Sequence, residues 1–379
     1  MEVTQKVAGV AESSSQLLPG LPEHLAMECL ARVPLATLQG ASKAWQKLIY
    51  DSYFQSLRTQ VGNPELKWIY TLVQTKDMSF KWRAYDPLSS RWHELPPVPH
   101  LMEFQLSNPG CIGVSYTVQC VSTRNRLVML AGMKVRNDGQ PRVTLEPALD
   151  HPLIFDTRTS VWKRGAPFRV PRKWCVCGVV DEKVFVASGS GKDWDRDLSK
   201  SVEVYDLDKD SWQALENLSS SKFSGEAMHA VTVGDKLCFV SGRGVFAKEG
   251  AVYDIAKGSW TEMPPGLKRG WKESCVAVDG RMYMLEAGSM GRLKVYVPET
   301  DEWEVALVDS RLQNLEISVG TTGKIVGIVT GRNVYREGSL LRVVDVTSEV
   351  PKIFDIPVHD GNVVSVQILS MMRSQQLSQ

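Results

Sequence analysis

The chain has 379 residues, 43% of them hydrophobic, and its 44 basic and 43 acidic side chains leave a formal charge of +1. A chain of this length and polarity reads as a water-soluble globular protein with a large core. So even a charge balance gives no electrostatic case for nucleic acid or an acidic membrane surface as partner.

Residues Met1–Gln16 are polar, with Glu2, Glu12 and the run Ser13–Ser15, and contain no apolar stretch resembling a secretory leader. No run in the chain approaches membrane-spanning length. Seven cysteines are an odd number, and Cys175, Cys177, Cys238 and Cys275 lie in strand-like runs. Reduced, buried thiols and a cytoplasmic or nuclear compartment follow.

From Leu17 to Gln60 apolar residues recur at helical spacing. Pro22 suits the first turn of a helix, where its missing N–H would be unpaired anyway. Leu25, Cys29 and Val33 then share one face, joined by Leu30, and Pro34 ends the helix. Leu38, Ala41, Trp45, Leu48 and Ile49 continue the spacing to Tyr50, and Phe54 adds an anchor. So short a helical segment buries little surface alone, so its apolar faces either dock on the rest of the chain or await a partner.

Beyond residue 61 the signal changes to strands. Five times an aromatic residue is followed seven positions later by tryptophan: Tyr85/Trp92, Phe155/Trp162, Tyr205/Trp212, Tyr253/Trp260 and Tyr296/Trp303. In the first four pairs Asp follows the aromatic (Asp86, Asp156, Asp206, Asp254); the fifth has Val297. This pattern predicts a tight hairpin in which the outgoing strand ends on the aromatic, Asp opens the turn by bonding backbone two residues on, and Trp starts the return strand. The ten aromatics are expected to pack blades rather than to contact a substrate.

A second repeat runs in phase. Apolar runs end on a small residue and glycine at Arg126–Gly132, Lys183–Gly189, Lys236–Gly242, Arg281–Gly288 and Lys324–Gly331. The glycines are expected where neighbouring blades converge and backbones approach closely. Ahead of each lies another strand, at Ile112–Val121, Cys175–Val180, Ala227–Val233, Glu273–Val278 and Leu315–Val319. A period of roughly 50 residues with four strands is one blade of a β-propeller.

The first unit supplies only Lys67–Gln74, Trp82–Tyr85 and Arg91–Leu95, while Asn362–Leu369 is a lone strand at the far end. Pairing the two closes the ring and hides edges that would otherwise invite aggregation. The unit Gln313–Ile356 has Val344-Asp345 in the hairpin position but Pro351 where Trp is expected. Six blades result, the sixth degenerate.

Enzyme motifs fail. Ser188–Lys192 reads SGSGK, but Asp193 follows the lysine and Val186 stands where a phosphate loop needs glycine. Cys175 and Cys177 lack the further ligands of a zinc set, and the six histidines show no close pairing. No metal and no cofactor are expected.

The blade order, strand, turn, strand-glycine, loop, strand-aromatic-Asp, turn, Trp-strand, resembles the kelch repeat. Leu21-Pro22-x-x-Leu25, Cys29-Leu30-Ala31-Arg32-Val33-Pro34, Leu38, Ser42-Lys43-x-Trp45 and Leu48-Ile49 together resemble an F-box, departing from its usual Val-Cys at Ala41-Ser42. The combination resembles plant F-box/kelch-repeat proteins of the Skp-interacting-partner type. The fold implied is mainly β, a six-bladed kelch-type β-propeller over residues 61–370. A short all-α N-terminal F-box over 17–60 precedes it, with tails at 1–16 and 371–379.

The resemblance implies a non-catalytic substrate-recognition subunit of a Skp–cullin–F-box ubiquitin ligase. Its F-box would bind the Skp adaptor, and through it the cullin scaffold, while the propeller binds an unidentified target protein. A kelch interaction scaffold without ubiquitin transfer is the alternative. Adaptor contacts are expected from Leu21, Pro22, Leu25, Leu30, Val33, Pro34, Leu38, Trp45, Leu48 and Ile49.

In kelch propellers the variable loops and interblade links share one face, and in this chain they gather arginine and aromatics: Arg136, Arg142, Arg172, Trp174, Trp194, Arg243, Phe246, Arg269, Trp271, Arg332 and Tyr335. Arginine and tryptophan are frequent interface anchors, so this face is the expected target site, with a lean towards acidic or phosphorylated segments.

Overall fold

The structure is a computed structural model that describes residues 17–63, 66–77, 79–99, 118–123, 125–136, 144–193, 195–218, 228–241, 249–286, 288–330, 338–348, 350, 352–359 and 361–372. Contacts divide the chain into a helical unit ending at Leu66 and a β unit spanning Lys67–Met372.

The helical unit holds α1 (Glu23–Ala31), α2 (Leu35–Ala41), α3 (Lys43–Ile49) and α4 (Ser52–Gln60). Pro22 and Pro34 occupy the N-caps of α1 and α2. The single second helix expected from Leu38 to Tyr50 is broken at Ser42, which is extended (φ −157°, ψ 159°), and its hydroxyl accepts the Trp45 N–H at 3.2 Å. Asp51 caps α4 in the same way, accepting the Phe54 N–H at 2.8 Å. Helix α1 packs on α4, and α2 on α3. Arg58 of α4 is buried and donates to the carbonyls of Ala31 (3.1 Å) and Val33 (2.6 Å), satisfying acceptors that the end of α1 leaves open.

The β unit contains six antiparallel four-stranded sheets. Blade one joins Lys67–Thr75, Phe80–Asp86 and Arg91–Glu94 to the C-terminal strand Gly361–Ser370. Blade two uses Gln119–Ser122, Arg126–Ala131, Leu153–Asp156 and Val161–Arg164. Blade three uses Val176–Val180, Lys183–Ala187, Val202–Asp206 and Ser211–Ala214, with α5 (Arg196–Lys200) before its third strand. Blade four uses Met228–Val233, Lys236–Ser241, Glu249–Asp254 and Ser259–Glu262, and α6 (Pro265–Gly270) leads into blade five. Blade five uses Cys275–Val278, Arg281–Leu285, Arg292–Val297 and Glu302–Val308. Blade six uses Leu315–Thr321, Lys324–Val329, Ser339–Asp345 and Lys352–Val358.

The first strands of the six sheets touch one another in a closed circle around an axial channel, which they line. The C-terminal strand supplies blade one's place in that circle. It pairs antiparallel with the first N-terminal strand, Tyr70 opposite Gln367 and Leu72 opposite Ser365. The fold is therefore mainly β, a six-bladed propeller preceded by short helices.

Every aromatic–Trp pair sits at one register position. Tyr85 faces Trp92, Phe155 faces Trp162, Tyr205 faces Trp212, Tyr253 faces Trp260 and Tyr296 faces Trp303. Their ring centroids lie 4.8–5.6 Å apart, in the range where aromatic pairs attract. The turn chemistry also matches. Asp86, Asp156 and Asp206 each accept the N–H two residues on, at 2.9, 2.9 and 3.1 Å. In blade six, Val344 and Ile353 take the paired places, and all four strands form nonetheless.

The core lies between blades. Phe185, Val202 and Val204 of blade three pack on Leu237, Phe239 and Tyr253 of blade four. Val326, Leu341, Val343 and Ile356 of blade six pack on Ile69, Val73, Val363 and Val366 of blade one.

Of the strand-ending glycines, Gly189 meets a close backbone neighbour and Gly288 does not, while Gly242 and Gly331 lie outside the described residues. Gly189 has φ 105° and a side chain there would strike the Lys173 carbonyl across the link, whereas Gly288 faces open space. On the inner strands, Gly320 of blade six is crowded against the Ala277 carbonyl of blade five, and Gly178 of blade three against Thr232 and Leu237 of blade four.

Candidate functional site

The residues singled out from sequence fall on two surfaces, and each is built differently. In the helical unit, the ten residues singled out from sequence split into two groups. Leu30, Leu38, Leu48 and Ile49 are buried, and Val33 and Trp45 are half-buried. The Trp45 indole donates to the Leu17 carbonyl at 2.8 Å, which fixes the segment before α1. Leu21, Pro22, Leu25 and Pro34 are exposed. Leu21 and Leu25 keep 38% and 40% of their surface in contact with solvent, and they lie four residues apart around the start of α1. The exposed members are the ones free to meet another protein.

On the propeller, the links between blades and the loops between second and third strands emerge on one face. Met133–Arg136 and Thr144–Pro147 form a two-stranded hairpin there, within what the sequence suggested was an irregular loop. Arg136 lies on its first strand. Arg269 is exposed in the last turn of α6. Trp174 is half-buried with a left-handed φ of 56°, and the Lys173 ammonium lies 5.0 Å from its ring centroid.

Two expected contact residues face inward instead. Trp271 is fully buried between blades four and five, packed with Met263, Leu267, Met282 and Met284, and its indole donates to the Glu273 carbonyl at 2.9 Å. Arg172 is also buried. Its guanidinium donates to Ser188 O (3.1 Å), Ser201 Oγ (2.9 Å) and the Glu203 carboxylate. Both stand at the foot of links, where aromatic and cationic side chains tie loop to blade. Trp194, Arg142, Arg243, Phe246, Arg332 and Tyr335 lie outside the described residues.

The same face holds a cavity of about 660 Å³ at blades five and six, lined in part by His229, Glu273, Glu286, Asn314 and Glu316. Salt bridges from Lys294 (2.7 Å) and Arg292 (3.1 Å) hold the Glu286 carboxyl below its usual value. Carboxylates were absent from the sequence-derived site, because Glu273, Glu286 and Glu316 belong to three separate segments that only the ring brings together. Helix α6 did carry a legible signal, two prolines before Gly266. The segment Ser188–Lys192 follows the strand Lys183–Ala187, with Ser190 bridged to Lys173. Among the described residues no group of three or more His, Cys, Asp or Glu side chains is arranged to hold a metal ion, and no helix is long and apolar enough to cross a membrane.

Each of the five hairpin tryptophans also reaches the preceding blade, four of them at the link that leaves it and Trp92 at the last strand of blade six. The indoles of Trp92, Trp162, Trp212, Trp260 and Trp303 donate to the carbonyls of Pro357 (3.1 Å), Pro96 (3.0 Å), Ala166 (3.0 Å), Glu216 (2.9 Å) and Leu267 (3.4 Å). Thus the hairpins hold the interblade links in place, and with them the face those links help to build.

Comparison with known proteins agrees with this architecture. The Kelch motif matches residues 171–219, the blade-three repeat. The F-box/kelch-repeat protein SKIP25 of Arabidopsis thaliana is 32% identical over 95% of this chain and 91% of its own length. F-box/kelch-repeat protein SKIP4 from the same plant is 22% identical over 94% of this chain and 95% of its own. F-box protein AFR, also from Arabidopsis, is 26% identical over 72% of this chain and 69% of its own. With a helical unit whose residues follow the F-box pattern and a six-bladed kelch-type propeller, the chain belongs to the F-box/kelch-repeat proteins.

Proposed function

We propose that this chain is the substrate-recognition subunit of a Skp–cullin–F-box ubiquitin ligase. The observation that carries this reading is the division of the helical unit into a buried scaffold and an exposed apolar set, Leu21, Pro22, Leu25 and Pro34, on a chain of F-box/kelch type. Exposed apolar anchors on a rigid support are what a constitutive protein interface requires. The adaptor takes this set and brings the cullin scaffold with it. The propeller then holds a target so that its lysines lie near the ubiquitin-conjugating enzyme, and proximity supplies the rate enhancement. The chain forms no covalent intermediate and needs no cofactor. It acts in the cytoplasm or nucleus.

The target binds the face of links and variable loops. Arg243, Arg269 and Arg332 offer it guanidinium groups suited to carboxylate or phosphate. Arg172 and Trp271 serve this face from below by anchoring links.

Co-purification tests the proposal. The full chain expressed in plant cells is captured under proteasome inhibition, and Skp adaptor and cullin are sought among its partners. Their absence, with targets still captured, favours a kelch scaffold without ubiquitin transfer.

A further inference from the structure

Cys175 and Cys177 stand two residues apart at the start of blade three's inner strand, Val176–Val180, and their side chains leave the backbone on the same side. Their sulfurs are 3.8 Å apart, in S–H···S contact. Cys175 is buried, whereas Cys177 is half-buried and lines the axial channel with Gln119, His229 and Gln367. We propose that these two thiols are a modification site, at which a hydroperoxide entering the channel converts the pair into an intramolecular disulfide that a small dithiol reverses.

The pair differs from the other described thiols of the propeller. The hydrogen bond from Cys177 holds Cys175 below the usual thiol value, with the Arg172 guanidinium helping and burial opposing. The same bond, then burial, pushes Cys177 well up. The first proton therefore leaves Cys175 more easily than it leaves an isolated thiol, and the two sulfurs share the one that remains. Burial instead pushes Cys120 up to about 12 and Cys238 up to about 11, and raises Cys275 further. Thiolate character decides which cysteines react, so these three are the inert ones.

The chemistry balances. Cys175 first gives its proton to water; the proton left on Cys177 then crosses to Cys175, leaving the channel-facing Cys177 as thiolate. Its sulfur attacks the terminal oxygen of the hydroperoxide, the O–O bond breaks, and the alkoxide leaves as alcohol after taking a proton from water. The Cys175 sulfur then attacks the Cys177 sulfenic acid. The S–S bond forms as the S–O bond breaks, and hydroxide leaves with the Cys175 proton as water. Two thiols and one hydroperoxide give one disulfide, one alcohol and one water; each sulfur loses one electron and the O–O bond gains both.

Closure must bring the sulfurs to about 2.05 Å, and residues two apart in a strand lie about 6.4–6.8 Å apart at Cα, the upper end of what a disulfide spans. The backbone can give here. Between the Lys173–Ser190 bridge and the ladder that begins at Val176, opposite Ala187, Trp174 and Cys175 belong to no ladder pair, and Trp174 is in the left-handed region.

The test uses the full-length protein. Reduced protein is treated with hydrogen peroxide, alkylated after unfolding, and digested with trypsin, which cuts after Lys173 and Lys183 and so leaves both cysteines on one peptide. The expected product is that peptide lighter by two hydrogens, unalkylated, and restored by dithiothreitol, while Cys238 and Cys275 are fully alkylated. It should form several-fold faster in the native protein than in the urea-unfolded chain. Alkylation of both cysteines, a Cys120–Cys177 cross-link, or an equal rate in the unfolded chain would overturn the proposal. A Cys175→Ser variant should stop at a sulfenic acid on Cys177. If that variant does not fold, the native-against-unfolded comparison of the wild type decides alone.

Discussion

Trp212 donates its indole N–H to the carbonyl of Ala166, 3.0 Å away and on the link that leaves the preceding blade. Two residues before the tryptophan, Asp210 accepts the N–H of that same alanine at 2.7 Å. One hairpin thus holds both polar groups of one link residue. Blade five repeats the arrangement: Asp301 accepts the N–H groups of Gly266 (2.7 Å) and Leu267 (2.9 Å), while Trp303 donates to Leu267 O. An aromatic–x6–Trp hairpin is therefore both a packing unit and a clasp on its neighbour.

The clasp predicts unequal costs at Trp212. Trp212→Phe keeps a ring against Tyr205 and loses the indole bond, a cost of about 1 kcal/mol. Trp212→Ala loses the ring as well, and should cost about 3 kcal/mol. Denaturant unfolding of the two variants measures this. Equal losses would mean that the ring contact contributes nothing beyond the bond.

Acid should open the clasps. Backbone and tyrosine donors hold Asp210 and Asp301 below the usual carboxylate value: Tyr205 and then Ala166 act on the first, Gly266, Tyr296 and Leu267 on the second. A folded-state value lowered in this way contributes stability that is fully present above the unfolded value, about 3.9, and is lost as pH falls towards the folded one. Asp210→Asn/Asp301→Asn should therefore be less stable than wild type at pH 6, and the gap should narrow below about pH 4. A gap that stays constant from pH 6 to pH 3 would rule out ionised clasps.

Ring closure predicts a sharp boundary at the C-terminus. Deleting 361–379 removes the strand opposite Lys67–Thr75 and leaves two sheet edges open, so the protein should aggregate or melt at markedly lower temperature. Deleting only 373–379 leaves that strand whole and should be tolerated. Equal melting of the two truncations would contradict closure by this strand.

Much of this was legible because each blade repeats the same local chemistry. Five aromatic–Trp pairs fixed the hairpins, and Lys67–Gln74 with no inner neighbour pointed to the C-terminal strand. What stayed hidden depends on long-range placement. Nothing near Trp271 in sequence tells that it fills the space between blades four and five, and nothing near Arg172 tells that Glu203 waits 31 residues on. Glu273, Glu286 and Glu316 meet at one cavity only because the ring closes. The break at Ser42 was locally readable, since serine three residues before a bonded N–H is a capping signal, but continuous apolar spacing concealed it.

The helical unit predicts two classes of variant. Leu38→Ala or Ile49→Ala, at buried positions, should destabilise the helices by about 2–5 kcal/mol. Leu21→Ala/Leu25→Ala, at exposed ones, should leave helicity intact and lower affinity for the Skp adaptor by more than about tenfold. Circular dichroism with calorimetric titration separates them. An exposed double variant that binds as wild type does would move the adaptor contact elsewhere.

The central claim is that one chain carries a ligase scaffold on its helices and a target on its propeller. Light scattering on purified chain mixed with adaptor and cullin, after size exclusion, tests it most directly. We predict a single one-to-one-to-one complex for the wild type and for Arg243→Ala/Arg269→Ala/Arg332→Ala, and none for Leu21→Ala/Leu25→Ala. Folded wild-type chain that elutes apart from the adaptor and cullin would contradict the account.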